Sequence, residues 1–379
     1  KKIIFLFLMW RVFLFLPILI ANQFMAYREG YDYTSINYFL ESSKTLVSNL
    51  LISPWANFDG VYYLLIAEEG YTVNAGFFPL FPLAINFIAS IFGNTLPFSE
   101  IQYFTALFLI SIFFLISLIL FYKLVRLDYK KHTAMWSFIF LLLFPTSFFF
   151  AAIYSESLFL LLLILSFYFA RKRNWLLASI FAMLLTATRF VGIAILPALL
   201  YEFYIAEKTL LKTKAISLLT IPAGLIGYSL YNLVRWGNAL YFIEVQGNFQ
   251  NNREVGSIVF PPQTIFRYLK IFFTVSPRQY EWFVAILEFS TFIFASIMLY
   301  IAWKAKIRLS YLIFSVIAFL IPISTGTFSG LPRYILPMFP IFIGLSLIKN
   351  KLFKVLYTAI SAALLFILLM LFSKGYFVA

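Results

Sequence analysis

The sequence predicts an all-α polytopic membrane protein, and three observations predict it. Of 379 residues, 63% are hydrophobic and only 12% are charged, about half the charged share of a soluble domain. The apolar residues fall in runs near the ~20 residues a membrane span needs. Lys and Arg collect in short loops between those runs. Loops 123–132, 171–173, 208–214, 304–308 and 349–354 hold sixteen of the 29, a positive-inside pattern that puts these loops in the cytoplasm. The net charge of +14 is therefore mainly a topology signal, with attraction to anionic membrane lipids second. No basic domain of the kind nucleic-acid binding needs is present, so nucleic acid is excluded as a partner. The chain has no cysteine, which excludes disulfides, thiol catalysis and Cys-ligated metal, and its one histidine, His132, lies in a basic loop.

Along the chain, Lys1-Lys2 precede an apolar run from Ile3 to Ala26. No small-residue cleavage site follows it, so a retained first helix is expected. Residues 28–76 are mostly polar, with six carboxylates (Glu29, Asp32, Glu41, Asp59, Glu68, Glu69) against Arg28 and Lys44. With Lys1-Lys2 inside, this acidic segment is a large first extracytoplasmic loop. Further apolar runs cover 100–122, 133–152, 155–170, 175–204, 215–234, 281–303, 309–323, 335–348 and 353–372. Run 77–92 is short and carries Pro79 and Pro82, so a half-membrane segment is expected there. Run 175–204 starts and ends beside basic loops and reads as two short helices turning near Arg189. The sum is a single domain, residues 1–379, with about 10–13 membrane segments. Segments 235–280 and 324–334 are polar, the first a second large outer loop and the second glycine-rich.

The stretch Trp55 to Pro82 organises the rest. Asp59-Gly60 follows Trp55 and Phe58, so a polar turn sits between aromatic rings, and Gly70 ends a short helix after Glu68-Glu69. A carboxylate held at a membrane surface is costly unless it has a task or a partner. Asp59 is thus either the centre of a site or a helix-capping turn residue.

The motifs carry a resemblance. Trp55-Ala-Asn57-Phe-Asp59-Gly60, Gly70-Tyr71 and Phe77-Phe78-Pro79-Leu80-Phe81-Pro82 are followed in order by Pro145-Thr-Ser147 with Tyr154-Ser155-Glu156-Ser157. Then come Thr186-Ala-Thr-Arg189 with Gly192, Gly237-Asn-Ala-Leu-Tyr-Phe242 with Gln246, and Leu331-Pro332-Arg333-Tyr334. Over nearly the whole chain this resembles the GPI mannosyltransferase II (PIG-V-like) family. One departure is Phe58, where the family often has Trp; the aromatic clamp is kept. The resemblance implies a GT-C-like bundle and inverting transfer of a sugar, mannose by the family, from a polyprenyl-phosphate donor to a lipid-linked or surface glycan acceptor. It implies no resident cofactor, a divalent metal not being excluded. The expected location is the plasma membrane of a prokaryote, with the site on the extracytoplasmic face.

Such transfer needs a base on the acceptor hydroxyl and a cation on the departing phosphate. Asp59 is the candidate base. Arg333 is the candidate phosphate ligand, because its planar fork matches phosphate oxygens and stays charged in apolar surroundings; the bland reading is a snorkelling arginine at a span's end. Arg189, inside an apolar run, calls for a partner or a function. Glu156 is its natural partner, and a structural Arg189–Glu156 pair competes with substrate binding. Gln246, Tyr334 and Trp55 complete the candidate substrate-binding set. The alternative class is a transporter or lipid flippase, where intramembrane Arg and Glu line a path; such proteins favour paired repeats, and none is evident here.

Overall fold

The computed structural model describes residues 1–31, 35, 53–72, 75–93, 100–209, 213–248 and 253–379. Asp32, Glu41 and Lys44 of the acidic loop, and Lys212 of basic loop 208–214, lie outside the described residues. Among those described, every regular element is helical. Six helices are long and apolar enough to cross a membrane: Lys2–Phe24, Ile101–Arg126, Phe190–Glu207, Thr213–Trp236, Tyr280–Lys304 and Lys351–Ser373. Shorter apolar helices are Leu80–Ile91, Trp175–Thr186 and Leu309–Ile323. Several apolar runs are divided by turns. Run 133–152 becomes the helix Lys131–Leu142 and, after Pro145, a single 3-10 turn at Ser147–Phe150. Run 77–92 yields the 12-residue helix Leu80–Ile91, ~18 Å long and about half of a hydrocarbon core.

The chain divides into two compact units, Lys1–Ile164 with Asn350–Phe377, and Leu165–Lys349 with Val378–Ala379. The first boundary falls inside the continuous helix Glu156–Arg171, so no linker composition marks it.

In the first unit the helix Lys351–Ser373 has 23 residues, ~34 Å of rise. Near its start the Lys354 ammonium stands 5.5 Å from the Trp136 ring and Tyr357 meets Phe140 edge-on. Near its end, Phe372 packs on Phe148 and Phe149 and its carbonyl accepts from Asn57. Within this unit the basic loop preceding Trp136 and the turn before Asp59 thus lie at opposite ends of one helix.

The second unit, taken by itself, also has a basic end. Glu202, 2% exposed, accepts from Arg308 Nε at 2.7 Å and from the Ser310 hydroxyl at 2.6 Å, with Arg171 Nε 3.9 Å away. Burying a carboxylate is tolerable because its lone pairs are matched by these donors. Basic loops 171–173 and 304–308 therefore share one end. The helix Leu309–Ile323 has 15 residues and leads, ~22 Å away, to the glycine-rich segment 324–334.

The break near Arg189 is where it was expected, between Trp175–Thr186 and the 3-10 turn Phe190–Ala194, which leads into Ile195–Glu207. Thr186 donates to the carbonyls of Met183 and Ile221, and Thr188 to that of Leu185. Such side-chain bonds compete with the helical ladder. A Cβ at Gly192 would lie 2.6 Å from the Leu185 carbonyl oxygen, so only glycine lets the turn fold back.

Segment 235–280, read from the sequence as a second large outer loop, has regular elements among its described residues. It contains the helix Pro261–Thr274, with proline in its first turn, where the missing N–H costs nothing. Its buried face is polar (Thr264, Tyr268), while Phe266 and Phe273 are 67% and 88% exposed. An amphipathic helix with aromatic side chains outward belongs at a membrane interface.

Candidate active site

The turn before Asp59 hangs on one side chain. Asn57 is fully buried; its Oδ1 accepts from the Tyr31 hydroxyl at 3.0 Å, its Nδ2 donates to the Phe372 carbonyl at 3.0 Å, and its own carbonyl accepts from the Tyr154 hydroxyl at 3.0 Å. Beside it the Ile153 N–H donates to the Trp55 carbonyl at 2.7 Å, and Tyr63 donates to Ser155 at 2.9 Å. The segment Trp55–Asp59 is thereby tied to the segment Ile153–Glu156. Gly60 lies close against this segment: a Cβ there would stand in van der Waals contact with the Ile153 carbonyl, at 3.4 Å.

Phe58 sits at φ 57°, ψ −113°, a conformation that costs a non-glycine residue ~1–3 kcal/mol. Its ring is fixed by Phe372 at 5.6 Å and Phe377 at 5.1 Å. That kink starts the helix Asp59–Glu69 and makes Asp59 its first residue, in the first turn, where orphan N–H groups and the helix dipole favour a negative charge. Asp59 is half-buried. Gly70, at φ 73°, closes the helix as expected. Glu68 and Glu69 lie at the far end, ~15 Å along the axis, away from Asp59. Glu156, 3% exposed, likewise opens a helix, Glu156–Arg171.

Trp55 is 2% exposed and packs in the unit's core, edge-on to Phe15 and under the Arg11 guanidinium, 5.6 Å from its ring. Arg11 also donates to Ser111 at 3.1 Å and to the Ala151 carbonyl at 3.3 Å. Sequence reasoning missed it, although a cation inside an apolar run is itself a signal.

The second unit gathers the arginines. Tyr334 is surrounded by three guanidiniums, those of Arg189, Arg333 and Arg253, at 4.9, 5.5 and 5.6 Å from its ring centroid. Arg253 donates to the Tyr334 hydroxyl at 3.0 Å, to Gln246 Oε1 at 2.8 Å and to the Ser329 carbonyl at 3.1 Å. Of the predicted site residues, Arg189 and Arg333 meet at Tyr334, and Gln246 joins them through Arg253, which sequence reasoning left unassigned in its loop. Gln246 acts on the group by holding Arg253. Arg189 is not inside a helix; it sits in extended backbone at the break, with Tyr334 beside it.

Close approach dictates glycine here. Gly330, at φ 82°, would bring a Cβ to 2.8 Å from the Tyr334 ring, and Gly326, also at φ 82°, to 2.7 Å from Arg267 Nη1. Behind this loop stands a buried carboxylate the sequence reading passed over. Glu288 accepts from the Tyr268 hydroxyl, which also bonds Thr327 at 3.2 Å and accepts from the Phe328 N–H at 2.9 Å. Glu288 also bonds Ser329 and the Gly330 backbone and faces the charge of Arg253.

Burial works against ionising Tyr334, but the charges of Arg253, Arg333 and Arg189 and the Arg253 hydrogen bond outweigh it, bringing the phenol down to about 7. Tyr268 goes the other way, raised by burial and then by Glu288. Among the described residues no group of three or more His, Asp or Glu side chains is placed to hold a metal ion.

A family model described as Mannosyltransferase (PIG-V) matches residues 1–221. Similar solved structures include the Archaeoglobus fulgidus oligosaccharyltransferase tethered to an acceptor peptide, at 13% identity and TM-score 0.48, covering 98% of this chain and 55% of that one. Its apo form gives 15%, 0.46, 96% and 56%, and its complex with zinc and sulfate 15%, 0.45, 85% and 49%. This chain spans about half the length of those proteins. No curated protein matches.

Proposed function

Since this chain belongs to the mannosyltransferase (PIG-V) family, we propose that it is a GT-C-type membrane glycosyltransferase moving mannose from a polyprenyl-phosphate donor to a lipid-linked or surface glycan acceptor. The observation that carries the reading is the set of three guanidiniums around Tyr334, a convergence of positive charge apart from the basic loops that suits a lipid phosphate.

In this reading Asp59 takes the proton from the acceptor hydroxyl as the oxygen attacks the anomeric carbon. The bond from that carbon to the phosphate oxygen breaks, and its electron pair leaves with the lipid phosphate. Attack opposite the leaving group inverts the anomeric centre. Arg333 and Arg253 meet the charge growing on the phosphate, and Arg189 adds to the same field. Trp55, in the core, and Glu156, at its helix start, support the Asp59 turn.

The test is incubation of purified protein with polyprenyl-phosphate sugars, followed by mass spectrometry for released lipid phosphate and glycosylated acceptor. Release with the mannose donor supports the reading; no release with any sugar donor overturns it. The outer-face assignment, in a prokaryotic plasma membrane, is tested by impermeant thiol labelling, for which the cysteine-free chain is suited. Exposed Glu69→Cys and Lys130→Cys should label from opposite sides, as should Ser257→Cys and Lys306→Cys. Same-side labelling of either pair removes the arrangement.

A further inference from the structure

The Tyr334 hydroxyl lies where an incoming phosphate oxygen would compete with it for the same cations. Arg253 donates to it at 3.0 Å, and Arg189 and Arg333 flank the same ring. We propose that Tyr334 is the proton-linked counter-ion of the arginine group: as a phenolate it balances the guanidiniums when no anion is bound, and it takes up one proton when a lipid phosphate takes over that role. This rests on reading the arginine group as a phosphate site. In the bound state the protonated hydroxyl becomes a donor to the phosphate, so one group serves first as anion and then as hydrogen-bond donor.

The surrounding charges allow this. Arg253 approaches from the loop before Pro261–Thr274, Arg189 from the break before Phe190–Ala194, and Arg333 from Tyr334's own short helix. The carboxylate facing Arg253 is Glu288, from Tyr280–Lys304, and it is engaged by Tyr268, Ser329 and Gly330. Tyr268, raised by burial and by Glu288, stays protonated while Tyr334, held near 7, titrates. The sign follows. Below that value the phenol is already protonated and binding takes up no proton. Above it, each pH unit should weaken phosphate binding about tenfold, because the phenolate must first be protonated.

The experiment is titration calorimetry with a short-chain prenyl phosphomannose, a phosphodiester whose charge is constant between about pH 6 and pH 9. Run in buffers of different ionisation enthalpy, it counts protons. Wild type should take up close to one proton near pH 8, and Tyr334→Phe, which keeps the ring and loses only the hydroxyl, should take up none and bind with little pH dependence. Without ligand, a tyrosinate ultraviolet band with its midpoint near 7 should appear in wild type and be absent from Tyr334→Phe. Equal proton uptake in both proteins overturns the proposal, as does uptake that vanishes in Glu288→Gln but persists in Tyr334→Phe. Binding without proton uptake, weakened by Arg333→Lys, also overturns it while leaving the phosphate site standing. No binding at any pH removes both.

Discussion

The two polar regions are built on opposite plans. The Asn57–Asp59 turn is neutral up to its last residue and is positioned by short bonds to backbone and to rigid tyrosines. The Tyr334 group is held by long, charged side chains converging on one ring. A proton-accepting carboxylate must be placed closely, because transfer needs hydrogen-bond contact in one direction. A phosphate presents several equivalent oxygens, so flexible forks with overlapping reach suffice. Substitutions should therefore damage the first region through geometry and the second through charge shape.

The largest effect is expected at Asn57. Asn57→Ala removes the acceptor of the buried Tyr31 hydroxyl and one of two donors to the Phe372 carbonyl, the other being the Gly375 N–H. The cost is ~2–4 kcal/mol, visible as a lower unfolding midpoint in detergent together with lost activity. An unchanged midpoint would show that the turn stands without it.

Next comes Asp59→Asn, which keeps the size and turn-forming ability of the side chain but not its negative charge. Turnover should fall ~10²-fold or more with donor binding kept. Asp59 is the first helical residue, with Phe58 at the N-cap, so if it serves only the helix start through its charge, turnover should stay near wild type; surviving activity would assign it that lesser role. Glu68→Gln and Glu69→Gln, at the other end of that helix, are the controls.

In the second region Arg333→Lys and Arg253→Lys each keep a charge and lose the fork. Donor affinity should drop by ~1.5–3 kcal/mol, while folding is retained. Wild-type Michaelis constants in both would reduce the group to a membrane-edge anchor. The smallest effect separates strain from packing at Phe58. Gly and Ala both lose the ring contacts with Phe372 and Phe377, but only Gly is at ease at φ 57°. Phe58→Gly should therefore be more stable than Phe58→Ala by ~1 kcal/mol; equal stabilities would mean the backbone relaxes.

What was legible in the sequence was local. Gly70 ends its helix because glycine accepts positive φ, and the break at Arg189 shows in an apolar run too long for one span that starts and ends beside basic loops. Asp59 stands out as a carboxylate among aromatics. Asn57 does not, because an asparagine in a turn needs no further explanation, and its hydroxyl and carbonyl partners lie 26, 97 and 315 residues away. Arg253 looked like a solvated loop charge until folding brought it to Tyr334. Besides Arg11, two signals were present and unused. Phe266, Leu269 and Phe273 are spaced for one helix face, and Glu288 interrupts an apolar run.

The bond from Asn57 to Phe372 spans 315 positions, and that distance is also a delay. At the ~5–20 residues per second of ribosomal synthesis, on the order of 15–60 s separate the emergence of the two partners. During translation the turn before Asp59 waits, its donor unmatched, until the helix Lys351–Ser373 has been delivered to the bilayer. The turn that carries the proposed base is thus encoded 315 positions before the carbonyl that locks it. A ribosome stopped short of Phe372 would release a chain with its arginines inserted and the Asp59 turn still open.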